Sequence, residues 1–249
     1  MFEHYKGDEI FVKKILDYKN QAEYNQRMIL TPFYNPHEQD IVHKVIGNHL
    51  LVQSSGGIEN SESQRMIICP DFYEICKEDF EISVVEIVYN PQFGKLKHKD
   101  VLGALMNLGI KRECIGDIYD KERLIFCCTN QSFPYIRDNL KQIKRSKVNL
   151  KLIDENIEIK REFISKVFFV SSMRLDKLIA AFYKISRQEA SLAIRSGSVK
   201  VNHKVIEEVD YLCHNNDVIS FKKHGRVQIR DENKQSKQGN YVITGLFYK

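Results

Sequence analysis

The stretch SRQEASLAIRSGSVKVN, residues 186–202, reads as a short helix that feeds straight into a strand, with basic side chains on both. Ser186 stands as an N-cap with Glu189 three residues on, the spacing at which a cap hydroxyl and an N3 carboxylate satisfy each other's backbone N–H groups. Arg187, Ser191 and Arg195 follow at i, i+4 and i+8 as one polar ridge. Gly197 supplies the stop. In SVKVN, Val199 and Val201 alternate with Lys200, which turns the valines inward and the lysine outward. Asn202 and His203 then turn the chain toward Lys204. A helix N-terminus carries free N–H groups and partial positive charge, so an arginine in its first turn is slightly disfavoured unless an anion joins it.

Just upstream, Leu175, Leu178, Ile179 and Phe182 fall at i, i+3, i+4 and i+7, the stripe of a second short helix whose other side carries Arg174, Lys177 and Lys184. Residues 173–249 hold 14 Lys+Arg against 8 Asp+Glu, a net of +6, and residues 1–172 hold 24 against 25, a net of −1. The basic excess therefore belongs to the last third, opposed locally by Asp176 and Glu189 alone. Such an excess repels itself unless a polyanion relieves it. Phosphate contact is the role expected for Arg174, Lys177, Lys184, Arg187, Arg195, Lys200 and Lys204, against the plainer reading of a solvated basic face.

The 249 residues suffice for two or three small domains, and 43% hydrophobic with 29% charged residues describes an ordinary globular chain. No apolar run approaches the roughly 20 residues of a membrane-spanning helix. Met1 to Asp8 is too polar for a secretory signal, so a cytoplasmic protein is expected. The six cysteines form neither a C-x-x-C pair nor a disulfide framework, which suits reduced thiols.

Three segments follow from the patterning. In the first, about 1–80, Phe11, Ile15 and Tyr18 share a helical face. NPHEQDIVHKVIG (35–47) then carries its own punctuation: Asn35 as cap, Pro36 first, Glu38 reaching back, Gly47 as stop. HLLVQ and RMIICPDFY read as strands around SSGGIENSES. Gly56 and Gly57 with Ser54 and Ser55 would suit a phosphate, but the lysine and following helix of a P-loop are missing, so a plain surface connection is preferred.

The second segment, about 81–165, runs β-α-β-β-α-β. EISVVEIVY is a strand, and HKDVLGALMNLG sets Val101, Leu102, Leu105 and Leu108 on one helical face. CIGDIY and RLIFCC form a hairpin turning at Asp120-Lys121. Phe133, Ile136, Leu140 and Ile143 repeat helically, and VNLKL alternates. This is the order of a split βαβ, RRM-like (ferredoxin-like) sandwich, although RLIFCCT lacks the stacking signature of RNA-recognition modules. The cluster KQIKRSK, with Lys141, Lys144, Arg145 and Lys147, is placed at a helix end, where cations also favour the dipole. It is a possible secondary RNA contact, as are His98 and Lys99, with helix capping preferred for His98. After a strand in EFISKVFFVSS comes the third segment, 173–249. The fold class is α+β: an N-terminal α/β region, the central sandwich and the basic C-terminal domain.

MRLDKLIAAFYKISRQEASLAIRSGSVKVN with NNDVISF (215–221) resembles the alpha-L RNA-binding domain first seen in ribosomal small-subunit protein S-four. R-L-D-K, a Ser-Arg helix start, I-x-x-G-x-V-x-V-N and a later G-D-x-I-x-V recur in that family, and here Asn216-Asp217 stands where Gly-Asp is usual. With NPHEQ and HKDVLGALMNLGIKRECIGDI, nearly the whole chain is similar to the YlmH-type RNA-binding proteins encoded near division genes in Gram-positive bacteria. The resemblance implies a cytoplasmic factor that binds rRNA and tRNA on large ribosomal subunits carrying a stranded peptidyl-tRNA. It implies no cofactor, no membrane and no small-molecule substrate.

Enzymatic readings find little support. Pseudouridine synthases use an Arg-Leu-Asp of their own, but Arg174-Leu175-Asp176 continues as KLIAAF inside a helix, so a structural aspartate is expected. The Gly-rich turn of a methyltransferase and the His-Gly-His of a tyrosyl-tRNA synthetase are absent. His37-Glu38 is not H-E-x-x-H, since Ile41 takes the second ligand position, and no other histidine has metal spacing. An unrecognised RNA-modifying activity in 1–165 and a division-linked adaptor remain the alternatives.

Overall fold

Two helices over a three-stranded antiparallel sheet make up the N-terminal residues: α1 (Glu9–Tyr24), β1 (Ile29–Leu30), α2 (Pro36–Ile46), β2 (Leu51–Ser55) and β3 (Arg65–Cys69), in the order β1-β3-β2. The computed structural model describes residues 7–154, 157, 162–236 and 238–248. Ile15, Val42, Ile46, Met66 and Ile68 form this layer's core, flanked by Phe11 and Tyr18. The start of α2 is set by its sequence. Asn35 Oδ1 accepts from the His37 and Glu38 amides at 2.9 and 3.2 Å, and Glu38 accepts from the Asn35 amide at 2.8 Å.

The Gly56-Gly57 loop is not a surface connection. Gly56 is buried, and a Cβ there would lie 2.2 Å from Ser61 Cβ, so the loop is glycine-rich because it is tightly packed.

The chain continues with β4 (Ile82–Tyr89), α3 (His98–Asn107), β5 (Ile115–Asp120), β6 (Leu124–Thr129), α4 (Phe133–Asn139), β7 (Gln142–Ile143) and β8 (Ser146–Leu152), in one sheet ordered β5-β6-β4-β8-β7. This is the βαββαβ arrangement with one hairpin added. The apolar period at Leu140 and Ile143 does not mark more helix. Leu140 leaves the helical region at φ −84°, ψ 85°, and Ile143 lies in β7; both are buried, which is why the pattern runs on. Lys144 and Arg145 therefore sit in a hairpin turn, not at a helix end.

One face of this sheet packs Val85, Ile87, Phe126 and Cys128 against Val101, Leu105 and Ile136 of the two helices. On the other face Val84, Ile125 and Cys127 meet Phe33 and Ile58 from the N-terminal segment. The seam is polar as well as apolar. Buried Arg65 donates to the carbonyls of Thr31, Phe80 and Glu81 at 2.8–3.0 Å, and Asp117 accepts from the Glu62 and Ser63 amides at 2.6 and 3.0 Å. Residues 1–159 accordingly form one compact unit and residues 160–249 a second.

The second unit contains β9 (Phe163–Val170), α5 (Leu175–Tyr183), α6 (Arg187–Arg195), β10 (Val199–Val201), β11 (Lys204–Val205), β12 (Val218–Phe221), β13 (Gly225–Gln235) and β14 (Tyr241–Tyr248). Its antiparallel sheet has the order β11-β10-β12-β13-β14-β9. Both helices lie on one face, where Leu175, Leu178, Ile179, Ala190 and Ile194 meet Val199, Val201, Ile219, Val227, Ile229 and Ile243. The strand inside EFISKVFFVSS belongs here, pairing along its whole length with β14. The architecture throughout is α+β.

Candidate nucleic-acid interface

Helix α6 begins and ends as its residues dictate. Ser186 Oγ accepts from the Glu189 amide at 3.1 Å and Glu189 from the Ser186 amide at 2.8 Å. At the other end Gly197 takes φ +67°, with its amide on the Ile194 carbonyl and that of Ser198 on Ala193, the two bonds of a Schellman motif. Ser186→Ala should cost about 1 kcal/mol through the lost cap. Faster amide exchange confined to the first turn of α6 would register it.

Asn202 and His203 both have positive φ, as a two-residue hairpin of the I′ kind requires. Asn202 also ties that turn to β12, donating to Asp217 at 2.7 Å and accepting from the Val218 amide at 2.8 Å. Asn216, standing where glycine is usual, holds φ +69°, which asparagine tolerates better than most residues. The variant keeps the turn.

Asp176, expected to be a structural aspartate, has partners that the sequence did not announce. Its side chain is 1% exposed and holds two arginines at once, Arg187 Nη2 at 2.6 Å and Arg174 Nε at 3.1 Å. Burial alone would raise its carboxyl, but the hydrogen bonds from Arg187 and Arg174 outweigh that and keep it below the ordinary carboxylate range. The Arg187 side chain is still 60% exposed. Asp176 thus fixes two guanidinium groups side by side at the helix ends while leaving Arg187 open to an anion. The cue available in the sequence was an Asp two residues after Arg174 at a helix start, and it did not reveal Arg187, eleven positions on, as the second partner.

The remaining cations are spread around the unit. Arg187, Ser191 and Arg195 line one open depression along α6. Lys177 donates to Ser171 Oγ at 2.8 Å, and Lys184 is exposed just past α5 at φ +55°. Lys204 lies opposite Val201, on the helix side of the sheet. Lys200 does not join them: with Val199 and Val201 in the core beneath the helices, it projects from the other face.

In the first unit, Lys144 is engaged with Asp100 at 2.7 Å, and Lys141 donates to the Arg137 carbonyl of α4 at 2.9 Å. Arg145 and Lys147 are exposed on the β7–β8 hairpin, and Lys99 on α3. The capping read for His98 falls to other residues. Asp100 accepts from the Lys97 amide and Asp120 from the His98 amide, at 3.0 and 2.8 Å. Among the described residues, no group of three or more His, Cys, Asp and Glu could hold a metal, and no helix is long and apolar enough to cross a membrane.

Comparison with known proteins agrees with this arrangement. Residues 7–73 match the family model "YlmH, N-terminal", residues 76–156 "Putative RNA-binding domain in YlmH", and residues 173–219 the "S4 domain". The chain is 29% identical to the Bacillus subtilis (strain 168) protein named "Ribosome-associated protein quality control protein P2", over 98% of this chain and 97% of that one. A solved structure titled "Cell division protein ylmH from Streptococcus pneumoniae" is similar at 35% identity and a TM-score of 0.52, covering 59% of this chain and 91% of that one.

Proposed function

The chain belongs to the YlmH family, and from that premise we propose that it is a non-catalytic, cytoplasmic RNA-binding protein that engages rRNA and tRNA on the large ribosomal subunit and serves quality control of stalled translation. A ribosome-associated, RNA-binding role is what its S-four domain and the name of its Bacillus relative support. The observation that carries the reading is the Asp176 clamp. It holds Arg174 and Arg187 together within a segment of net charge +6, on the domain that matches an RNA-binding family. In this reading α6 takes a phosphate at its first turn, with Arg187 adding charge-assisted contacts to the helix's free N–H groups. Arg195, Lys177 and Lys184 follow the backbone beyond it.

Co-sedimentation of the full chain with separated ribosomal subunits tests this directly. Association with the large subunit alone is expected; equal pelleting with both, or with neither, would refute it. Affinity should also fall with salt. Four to six phosphate contacts predict a slope of roughly −3 to −5 in log K against log salt, and a flat response would remove backbone contacts as the source of affinity. A chain ending at residue 159 keeps the first compact unit whole and should lose RNA binding in a filter assay.

A further inference from the structure

The sheet of the second unit has a free face, and its composition is unlike that of a solvated surface. Register puts Lys200, Ser220 and Arg226 in one cross-strand row on the side away from the helices, and Tyr248 and Phe163 continue it. The Arg226 guanidinium lies 4.4 Å from the centre of the Tyr248 ring, and Phe163 meets that ring edge-on at 4.9 Å. Two further rows repeat the order from cation to apolar group. Arg230, Thr244 and Val167 make one, and Lys234, Val242 and Phe169 the other. Val167 is 59% exposed and Phe169 64% exposed, although each stands in a regular strand on either side of half-buried Phe168. The basic side chains run along β10 and β13, the aromatic and aliphatic ones along β14 and β9.

We propose that this face is a second RNA surface, which takes an unpaired strand with its bases against Phe169 and the Phe163–Tyr248 pair and its phosphates along Lys200, Arg226, Arg230 and Lys234. Single-stranded nucleic acid binds where a basic track borders aromatic platforms, because every base offers a face for stacking and every linkage a charge. A duplex has its bases already stacked and gains from the cations alone. The charge decides against an apolar protein partner. Glu232 on β13 keeps its charge while accepting from Thr244 at 3.0 Å, but Lys200, Arg226, Arg230 and Lys234 outnumber it, so the track remains net basic. Lys200 links this face to the domain's cationic set while pointing away from the α5–α6 ridge. The proposal rests on the RNA-binding reading and adds the class of RNA and a separate place for it.

The test uses the full chain and two labelled probes in anisotropy titrations, an oligouridylate and a blunt RNA duplex. Phe169→Ala should weaken oligouridylate binding on the order of 5- to 150-fold, the loss of one stacked base, and leave duplex binding unchanged. Arg195→Ala, on the helix ridge, should do the reverse. Photo-crosslinking with 4-thiouridine should label peptides containing Phe169 or Tyr248. Unchanged oligouridylate affinity in Phe169→Ala overturns the proposal. So does self-association of the unsubstituted chain that Phe169→Ala abolishes, which makes the face a contact between copies. If Phe169→Ala instead loses ribosomal subunits at unchanged oligouridylate affinity, the occupant is a protein and the proposal also fails. A chain that binds neither probe overturns both readings, while loss of oligouridylate binding with an inert Arg195→Ala overturns only the role of the ridge.

Discussion

Replacing Arg174 and Arg187 together with alanine should lower the stability of the second unit by about 3–5 kcal/mol, the cost of leaving a buried charge without its partners. Asp176 is 1% exposed, and these two arginines are the cations that bond it. Either single substitution should cost much less, because the other guanidinium remains. Amide exchange of α5 and α6 in the full chain measures the loss. Adding Asp176→Asn to the double variant should recover much of it, since the buried carboxylate is then gone. The pH dependence has a definite sign. The folded carboxyl lies below its ordinary value, so the pairing contributes stability above the unfolded carboxylate range, near pH 4, and loses it as pH falls through the depressed folded value. In the double variant burial acts alone and raises the carboxyl, so its deficit should shrink on acidification. A deficit that does not change with pH, or no rescue by Asp176→Asn, would show that the clamp is not what holds the helices' ends.

Phe33→Ala should cost about 3–5 kcal/mol in the first unit, the range for emptying a buried aromatic site. Phe33 is 6% exposed and packs on Ile125 and Cys127 across the seam between the N-terminal segment and the central sheet. Gly116 is small for the same reason: a Cβ there would stand 2.7 Å from the Phe33 ring. Phe72→Ala, at a site 63% exposed, serves as the control and should be nearly neutral. Urea unfolding of residues 1–159 and of their variants would measure both. A midpoint for Phe33→Ala equal to that of Phe72→Ala would mean that the seam contributes nothing.

Local rules made much of this fold readable. The capping boxes at Asn35 and Ser186, the stops at Gly47 and Gly197, and the Val199–Lys200–Val201 alternation depend on residues a few positions apart, and each appears as the side chains require. What escaped the sequence depends on distance along the chain. Nothing near RLIFCC shows that Phe33 and Ile58, far upstream, cover its second face. Leu140 and Ile143 kept a helical spacing because both are buried, and burial does not reveal whether a turn or a helix supplies it. Basic residues of the candidate interface stand out through charge, and Asp176 reads as a structural aspartate, but its bond to Arg187 shows only once α5 and α6 are placed side by side. Arg226 does not stand out in the sequence because its partner, Tyr248, lies at the far end of the next strand.

The pairing of β9 with β14 also bears on how the unit is made. Phe163 opposes Tyr248, 85 positions later, so the strand synthesised first must wait for the one synthesised last. Until then β9 presents a bare backbone edge and the exposed side chains Val167 and Phe169. The helices and the β10–β11 hairpin involve short loops and can form while the chain is still being extended; closing the sheet involves a long one and comes at the end. A nascent chain halted within this unit would hold an unmatched, sticky strand, which makes the interval before β14 emerges the period of greatest exposure to misassembly.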